Sequence, residues 1–475
     1  MSTKLNPGIL PVLLQASPQQ VCARLGPRDD TVLLESSKAM PGLSGWSWVA
    51  GPALGTLETP PDGGATTLRL ADGRGAAAAS WADPFEAIRE VLARVHAPAD
   101  PPAPAGLAFT GGLAGYLGYD LARHVERLPA AAVADPAWPW MRLHLCDHLL
   151  AYDHAHGQWY FCGRDWPTFA SEDRAAVWAD TWARAQGPDP APGRFEAGPL
   201  ASRTPPGTYL GQVRQVLDLI AAGDLFQANL SHRHEARFQG DPYALYQALT
   251  AVNPAPFSAY LSGPGHALAS VSPERFLKVS PQGEVVARPI KGTRPRAEGA
   301  AQDHDQREAL AGSVKDRAEN LMIVDLMRND LGRVAQVGSV QVDQLFELEA
   351  HPSVWQMVST VRARLREGAG VADLLRACWP PGSMTGAPKV RAMEVIDSLE
   401  PVRRGPYAGA IGYFDAGGAM DLSVVIRTAM VHGDRVMLQV GGGVVSDSEP
   451  QAELDETLAK GRLLLDAIAA SPFER

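Results

Sequence analysis

The spacing of apolar runs after residue 206 is what most narrows the fold of this chain. Short runs at 225–230, 257–261, 267–271 and 285–287 have the length of β-strands. Helical periodicity predicts a long helix over about 304–328 and another at 387–399, and three strand-like runs follow at 408–414, 420–430 and 435–440. A last helix is predicted over about 451–469. Strands thus come in groups, with helices inserted irregularly. A parallel sheet needs a crossover, usually a helix, between successive strands. The pattern therefore predicts an α+β fold with mostly antiparallel sheets.

Ahead of these runs, 208–222 reads as a helix with Val213, Val216, Leu217 and Ile220 facing inward and Gly223 closing it. Residues 1–186 mix short β-like runs with turns. Within them 31–36 reads as a strand, and 84–95 as an amphipathic helix whose apolar face is Phe85, Ile88, Val91, Leu92 and Val95. The glycine-rich stretch 106–120 lacks GxGxxG spacing and leads into no helix, so its glycines are expected to let backbones pack closely. Composition shifts to Gly, Pro, Ala and Asp over 187–206, the expected linker between regions 1–186 and 207–475.

A chain of 475 residues can hold two or more cores, or one large two-lobed domain. Its net charge of -10 and lack of a basic face exclude general nucleic-acid binding, so an anionic substrate would need a local positive cluster. Four scattered cysteines form no CxxC pair and suggest neither zinc nor disulfides. The first apolar run is broken by Pro11, and no stretch is long enough to cross a membrane. A soluble, cytoplasmic protein is expected.

One positive cluster is RPIKGTRPR (288–296), in which Lys291 sits mid-turn among Arg288, Arg294 and Arg296. Like charges disfavour an ammonium, which makes Lys291 a candidate nucleophile. A solvated basic loop has the same pattern. Asp316 with Glu319, and Glu453 with Glu456, are acidic pairs spaced three apart on predicted helices, so each pair shares a face. Two such faces meeting would make an all-oxygen site suited to Mg²⁺. Ion pairs with Lys315, Arg317 or Lys460 are the plainer reading. Glu274, between two strand-like runs, would serve as a general acid in an apolar site, or pair with Arg275. Gly441, Gly442 and Gly443 follow a strand and would cradle a carboxylate with their N–H groups, or form a tight turn. Arg427 ends a buried-looking strand and suits a substrate carboxylate, or an internal ion pair.

Taken in order, the segments FQANL (226–230), SPERF (272–276), RPIKGTRPR (288–296), AENLMIVDLMRNDLGRVA (318–335), PPGSMTGAPKVRAMEVI (380–396), GAIGYF (409–414), DLSVVIRT (421–428) and GGGVVSDSEPQAELDET (441–457) closely resemble the chorismate-utilising enzymes. The resemblance covers roughly 205–465 and extends more weakly into the first region. It implies a layered α/β/β/α sandwich of mostly antiparallel sheets flanked by helices. It also implies chorismate as substrate and Mg²⁺ at the ring carboxylate, with Glu319 and Glu456 as ligands and Asp316 and Glu453 behind them. Asp316 departs from the family's glutamate, and the shorter side chain favours a water-mediated role. Substrate contacts carried over in the same way are Arg427, Tyr407, Gly292, Thr293, Gln227 and the backbone of Gly441, Gly442 and Gly443.

Gln227, where water-adding members have a lysine, and Lys291, where anthranilate-forming members have alanine, resemble the aminodeoxychorismate-forming branch. That branch implies a covalent Lys291 adduct, Glu274 as acid, ammonia as second nucleophile and a separate glutamine amidotransferase subunit to supply it. An anthranilate-forming subunit and a non-catalytic chorismate-binding subunit are the alternatives. Leu34, Glu35 and Ser36, with Asn253, Pro254 and Phe257, resemble a pocket in which some members bind tryptophan. Ala255 there replaces a serine of the feedback-regulated members. Gln356 stands where relatives often have histidine.

Overall fold

The computed structural model describes residues 7–27, 29–40, 42–71, 77–96, 103–166, 168–169, 174–350 and 354–471. Two large sheets dominate it, of 13 and 12 strands, and the ladders between their strands are antiparallel. The expected α+β class and antiparallel pairing are both present.

Each sheet is built from both parts of the chain. In the larger one Val32–Glu35 pairs with Phe257–Gly263, which joins strands from before residue 186 to strands from after 206. Gly112–Leu117 pairs with Ala410–Asp415 and does the same in the smaller sheet. Residues 187–206 carry two short strands, Phe195–Ala197 and Ala201–Ser202, laid along Gln227–Gly240.

Alternation along the strands sorts side chains into layers. Leu34 joins the core between the sheets, with Leu57, Leu113, Leu143 and Tyr413. Its neighbour Leu33 faces the opposite way, into a helix-covered core with Val21, Trp178 and Tyr246. Helices flank both sheets, giving the layered helix–sheet–sheet–helix sandwich. The helix Pro84–Val95 spans the expected residues, begins at Asp83, whose carboxylate accepts from the Phe85 and Glu86 amides, and buries Phe85, Ile88, Val91 and Val95. Such a cap contributes about 1 kcal/mol.

Gly112 and Gly115 bear out the close-packing expectation, with φ of 144° and 155°. A Cβ on either would collide with a neighbouring strand's carbonyl, that of Phe414 or Arg142. The four cysteines are buried and unpaired, and among the described residues no helix is long and apolar enough to cross a membrane.

The structure corrects two boundaries. The helix expected over 304–328 is two, Ala300–Ala311 and Val314–Gly332. Gly312 ends the first, and Ser313 caps the second by accepting from the Asp316 amide at 3.2 Å. The apolar run 420–430 is likewise two strands, Met420–Val424 in the smaller sheet and Thr428–His432 in the larger. The chain crosses between sheets at 425–427, where Arg427 takes φ of 51°. An apolar run reads as one strand from sequence whether or not the backbone changes sheets within it.

Candidate active site

Lys291 lies on the strand Ile290–Pro295 and not in a turn. Its three arginine neighbours are all engaged elsewhere: Arg288 with Glu349, Arg294 with Asp316 at 2.8 Å and Arg296 with Asp303 at 2.7 Å. The basic-loop rationale for a neutral amine is therefore wrong. Burial is what lowers the Lys291 pKa, helped by Lys460 and opposed by the carboxylates of Glu319, Glu274 and Glu456. Its Nζ donates to the Ser383 carbonyl at 3.4 Å.

Glu274 sits between His266–Ser272 and Arg275–Val279 and is only 6% exposed. Burial pushes its pKa up to about 7, against the opposing pull of a Ser383 side-chain hydrogen bond, the Lys291 charge, the Ile290 amide and Arg427. The alternative pairing with Arg275 is not made, because that guanidinium takes both oxygens of Asp421 at 2.8 and 2.9 Å. A carboxyl that keeps a large fraction of its proton near neutrality suits a general acid.

Arg427 occupies the crossover between the sheets. Among the described residues it makes no ion pair; burial lowers its pKa and the charge of Glu274 raises it again. A non-glycine residue at positive φ costs about 1–3 kcal/mol, a cost typical of residues held for function. Thr293, next to Gly292 on the lysine strand, is exposed, whereas Tyr407 is 3% exposed.

The three glycines lie inside the strand Arg435–Val444, paired with Gln227–Gly240, and not in a loop beyond it. Their lack of side chains makes room for others. A Cβ on Gly441 would lie 2.9 Å from the Tyr407 hydroxyl, and one on Gly442 would lie 3.2 Å from Glu453 Oε2. One on Gly443 would overlap the Gln227 amide and lie 3.4 Å from Lys291 Nζ. Gln227 is fully buried, and among the described residues neither its Oε1 nor its Nε2 has a hydrogen-bond partner.

Asp316 and Glu319 lie on Val314–Gly332, and Glu453 and Glu456 on Pro450–Ala469. Lys315 links the two helices, 3.5 Å from Glu453 and 4.0 Å from Glu319, and Lys460 sits 2.7 Å from Glu456. Burial raises the pKa of Glu319, and the charges of Asp316 and Glu456 add to it. Among the described residues Glu453 Oε2 is buried without a hydrogen-bond partner. Among the described residues no three His, Cys, Asp or Glu side chains form a ready-made metal cluster. Mg²⁺ needs only one or two carboxylates when waters and a substrate oxygen complete its shell. The like-charged oxygens and the orphaned Glu453 atom fit such an ion.

Away from the lysine, Leu34, Glu35, Ser36 and Phe257 line a pocket between the sheets, with Trp46, Trp48 and Tyr413. Asn253 ends the helix Pro242–Val252 instead, and neither it nor Pro254 lines the cavity. Gln356 is buried opposite Thr293 in the sheet, its Oε1 without a hydrogen-bond partner among the described residues. Sequence reasoning assigned no role to Ser383, although the segment 380–396 carried the residue. Its importance comes from contact with two distant residues, which no spacing reveals.

The fold brings Lys291 within electrostatic reach of Glu274, Glu319 and Glu456. This chain belongs to the chorismate binding enzyme family, whose model matches residues 59–466. It is 43% identical over 400 residues to aminodeoxychorismate synthase component 1 of Klebsiella aerogenes, covering 84% of this chain and 85% of that protein. It is 39% identical over 468 residues to anthranilate synthase component 1 of Streptomyces coelicolor, covering 95% and 86%. The crystal structure of anthranilate synthase component I from Streptococcus pneumoniae superposes with a TM-score of 0.74 at 28% identity, covering 90% of this chain and 93% of that one.

Proposed function

We propose that this chain is the chorismate-aminating subunit of an aminodeoxychorismate synthase, forming 4-amino-4-deoxychorismate for para-aminobenzoate and folate synthesis in the cytoplasm. The observation that carries the reading is the pairing of Lys291 and Glu274 through Ser383, one burial-lowered amine beside one burial-raised acid. An amine whose ammonium form is disfavoured suits a nucleophile, and a carboxyl that holds its proton near neutrality suits a general acid.

The neutral Lys291 amine attacks ring carbon 2. The two conjugated double bonds each shift one position, and the 4-hydroxyl leaves as water on receiving the Glu274 proton. Ammonia then adds at carbon 4, the double bonds shift back, and the lysine amine is expelled from carbon 2. Two displacements explain how a nucleophile entering at carbon 2 directs the final amine to carbon 4. Arg427 and Tyr407, with Gly292, Thr293 and the Gly441–443 backbone, hold the substrate's carboxylates, and Gln227 faces the reacting carbons. Glu319 and Glu456, with Asp316 and Glu453 behind them, would hold Mg²⁺, which neutralises charge on the ring carboxylate.

Ammonia comes from a separate glutamine amidotransferase subunit. The name of the Klebsiella aerogenes relative, a component 1, favours such a partner. The cavity lined by Leu34, Glu35, Ser36 and Phe257 holds tryptophan, its indole among Trp46, Trp48 and Tyr413.

An anthranilate-forming enzyme is the second reading, favoured by the relative that covers 95% of this chain. Chorismate, Mg²⁺ and ammonium ion supplied to the protein separate the two. The proposal predicts an amino-chorismate product that only an added lyase converts to para-aminobenzoate. Anthranilate fluorescence as the main product would overturn it.

A further inference from the structure

Behind the proposed active site lies a buried ion pair that the chemistry above does not use. Glu400 and Arg404 are 4% and 3% exposed. The guanidinium donates through Nε to Glu400 Oε2 at 2.9 Å and through Nη2 to Oε1 at 2.6 Å. Its remaining reach goes to main-chain carbonyls on two different elements: Met384 at 2.7 Å and Asn229 at 2.6 Å. Glu400 Oε1 also accepts from the Ser231 amide at 2.9 Å and the Ser231 hydroxyl at 2.7 Å. The guanidinium carbon lies 4.7 Å from the Tyr119 ring and 5.8 Å from the Tyr407 ring.

Those two carbonyls belong to the segments that flank the catalytic pair. Met384 ends the short turn Gly382–Met384, in which the Ser383 carbonyl accepts from Lys291 and the Ser383 side chain bonds Glu274. Asn229 is two residues from Gln227 on the same strand, and its amide donates to the Thr385 carbonyl at 2.8 Å. One guanidinium therefore clamps the turn to the strand, with Tyr407 beneath it. A buried ion pair is a poor device for stability, because well-packed apolar groups of similar volume do as well or better. Its fork of fixed donors is suited to holding two carbonyls in register.

We propose that Arg404, anchored by Glu400, is a positioning residue that fixes the Ser383 turn and so the separation of Lys291 from Glu274. The claim rests on the proposed chorismate amination. Neither residue touches the reacting atoms; both act through the turn.

Wild-type protein is assayed first with chorismate, Mg²⁺ and ammonium ion. An inactive wild type would overturn the functional reading, and the positioning claim with it. Given an active wild type, two variants are compared: Arg404→Lys, which keeps the charge facing Glu400 but not the fork, and Arg404→Met combined with Glu400→Leu, which leaves no charge unpaired. Positioning predicts a fall of about 10²-fold in kcat, the usual cost of about 1 Å of misplacement, with chorismate KM within about threefold and an altered pH–rate profile. The expected result is this split in whichever variant folds. Wild-type kcat and pH profile in a folded variant would overturn the proposal. So would failure of both variants to fold, which would make the pair a requirement of the fold instead.

Discussion

The Lys291 amine lies 3.4 Å from the Ser383 carbonyl, and the side chain of that same serine bonds Glu274. Nucleophile and acid, 17 positions apart, one on the strand Ile290–Pro295 and the other just before Arg275–Val279, thus share one turn. The arrangement leads to predictions that each isolate one part of it.

Activity should be bell-shaped in pH. Deprotonation of Lys291 raises the rate as pH climbs toward its lowered pKa, and loss of the Glu274 proton lowers it above about 7. Glu274→Gln should remove the dependence on that acid together with most of kcat. A pH–rate profile of the wild type that stays flat through 7 would contradict the assignment.

Stability has a matching signature. The folded-state pKa of Glu274, about 7, lies above its ordinary 4.5, so the folded protein binds the extra proton between those values. Its contribution is fully present below 4.5 and is lost as pH rises to about 7, by an amount on the order of 3 kcal/mol at most. Denaturant unfolding at several pH values should show a shallower decline across that window in Glu274→Gln than in the wild type.

Gly443→Ala should damage catalysis more than folding. The added methyl would overlap the Gln227 amide and lie 3.4 Å from Lys291 Nζ. Displacing those groups by a fraction of an ångström to about 1 Å predicts a kcat loss approaching 10²-fold. Melting temperature should change little, because Gly443 has no positive φ to strain.

Glu456→Ala should abolish Mg²⁺-dependent turnover and the heat of Mg²⁺ binding in calorimetry, while leaving the fold intact. The ion pair it breaks with Lys460 is half exposed, and such pairs contribute about 0–1 kcal/mol. Undiminished Mg²⁺ binding would remove Glu456 from the metal site.

Tryptophan should raise the melting temperature of the protein without slowing it. Ligand at 100 times its Kd adds about 2.7 kcal/mol to stability. Ser36 and Phe257 face the cavity, and Phe257 packs under Arg275 at 5.0 Å. Phe257→Ala should abolish the shift seen by thermal denaturation.

Much of this architecture could be read from sequence because it is local. The period of Phe85, Ile88, Val91 and Val95 marks a helix, and the 106–120 glycines mark close strands. Non-local facts could not be read. Nothing in the run 420–430 announces that the chain changes sheets before Arg427, and no spacing brings Ser383 to Lys291. The arginines around Lys291 offered a reason for its neutral amine, but each is spent on an acidic partner, Arg288 and Arg294 on ones distant in sequence, and burial takes their place as the cause. Lys315 and Lys460 do meet the acidic pairs, as the plainer reading of those helices expected, while the two helix faces also approach each other.

The most direct test of the account is the intact mass of the protein after incubation with chorismate and Mg²⁺ in the absence of ammonia. The account predicts a species heavier by chorismate less one water, mapped by peptide analysis to Lys291, absent in Lys291→Ala and discharged by adding ammonium ion. Full turnover with no such adduct would mean that ammonia attacks chorismate directly, and Lys291 would not be the nucleophile.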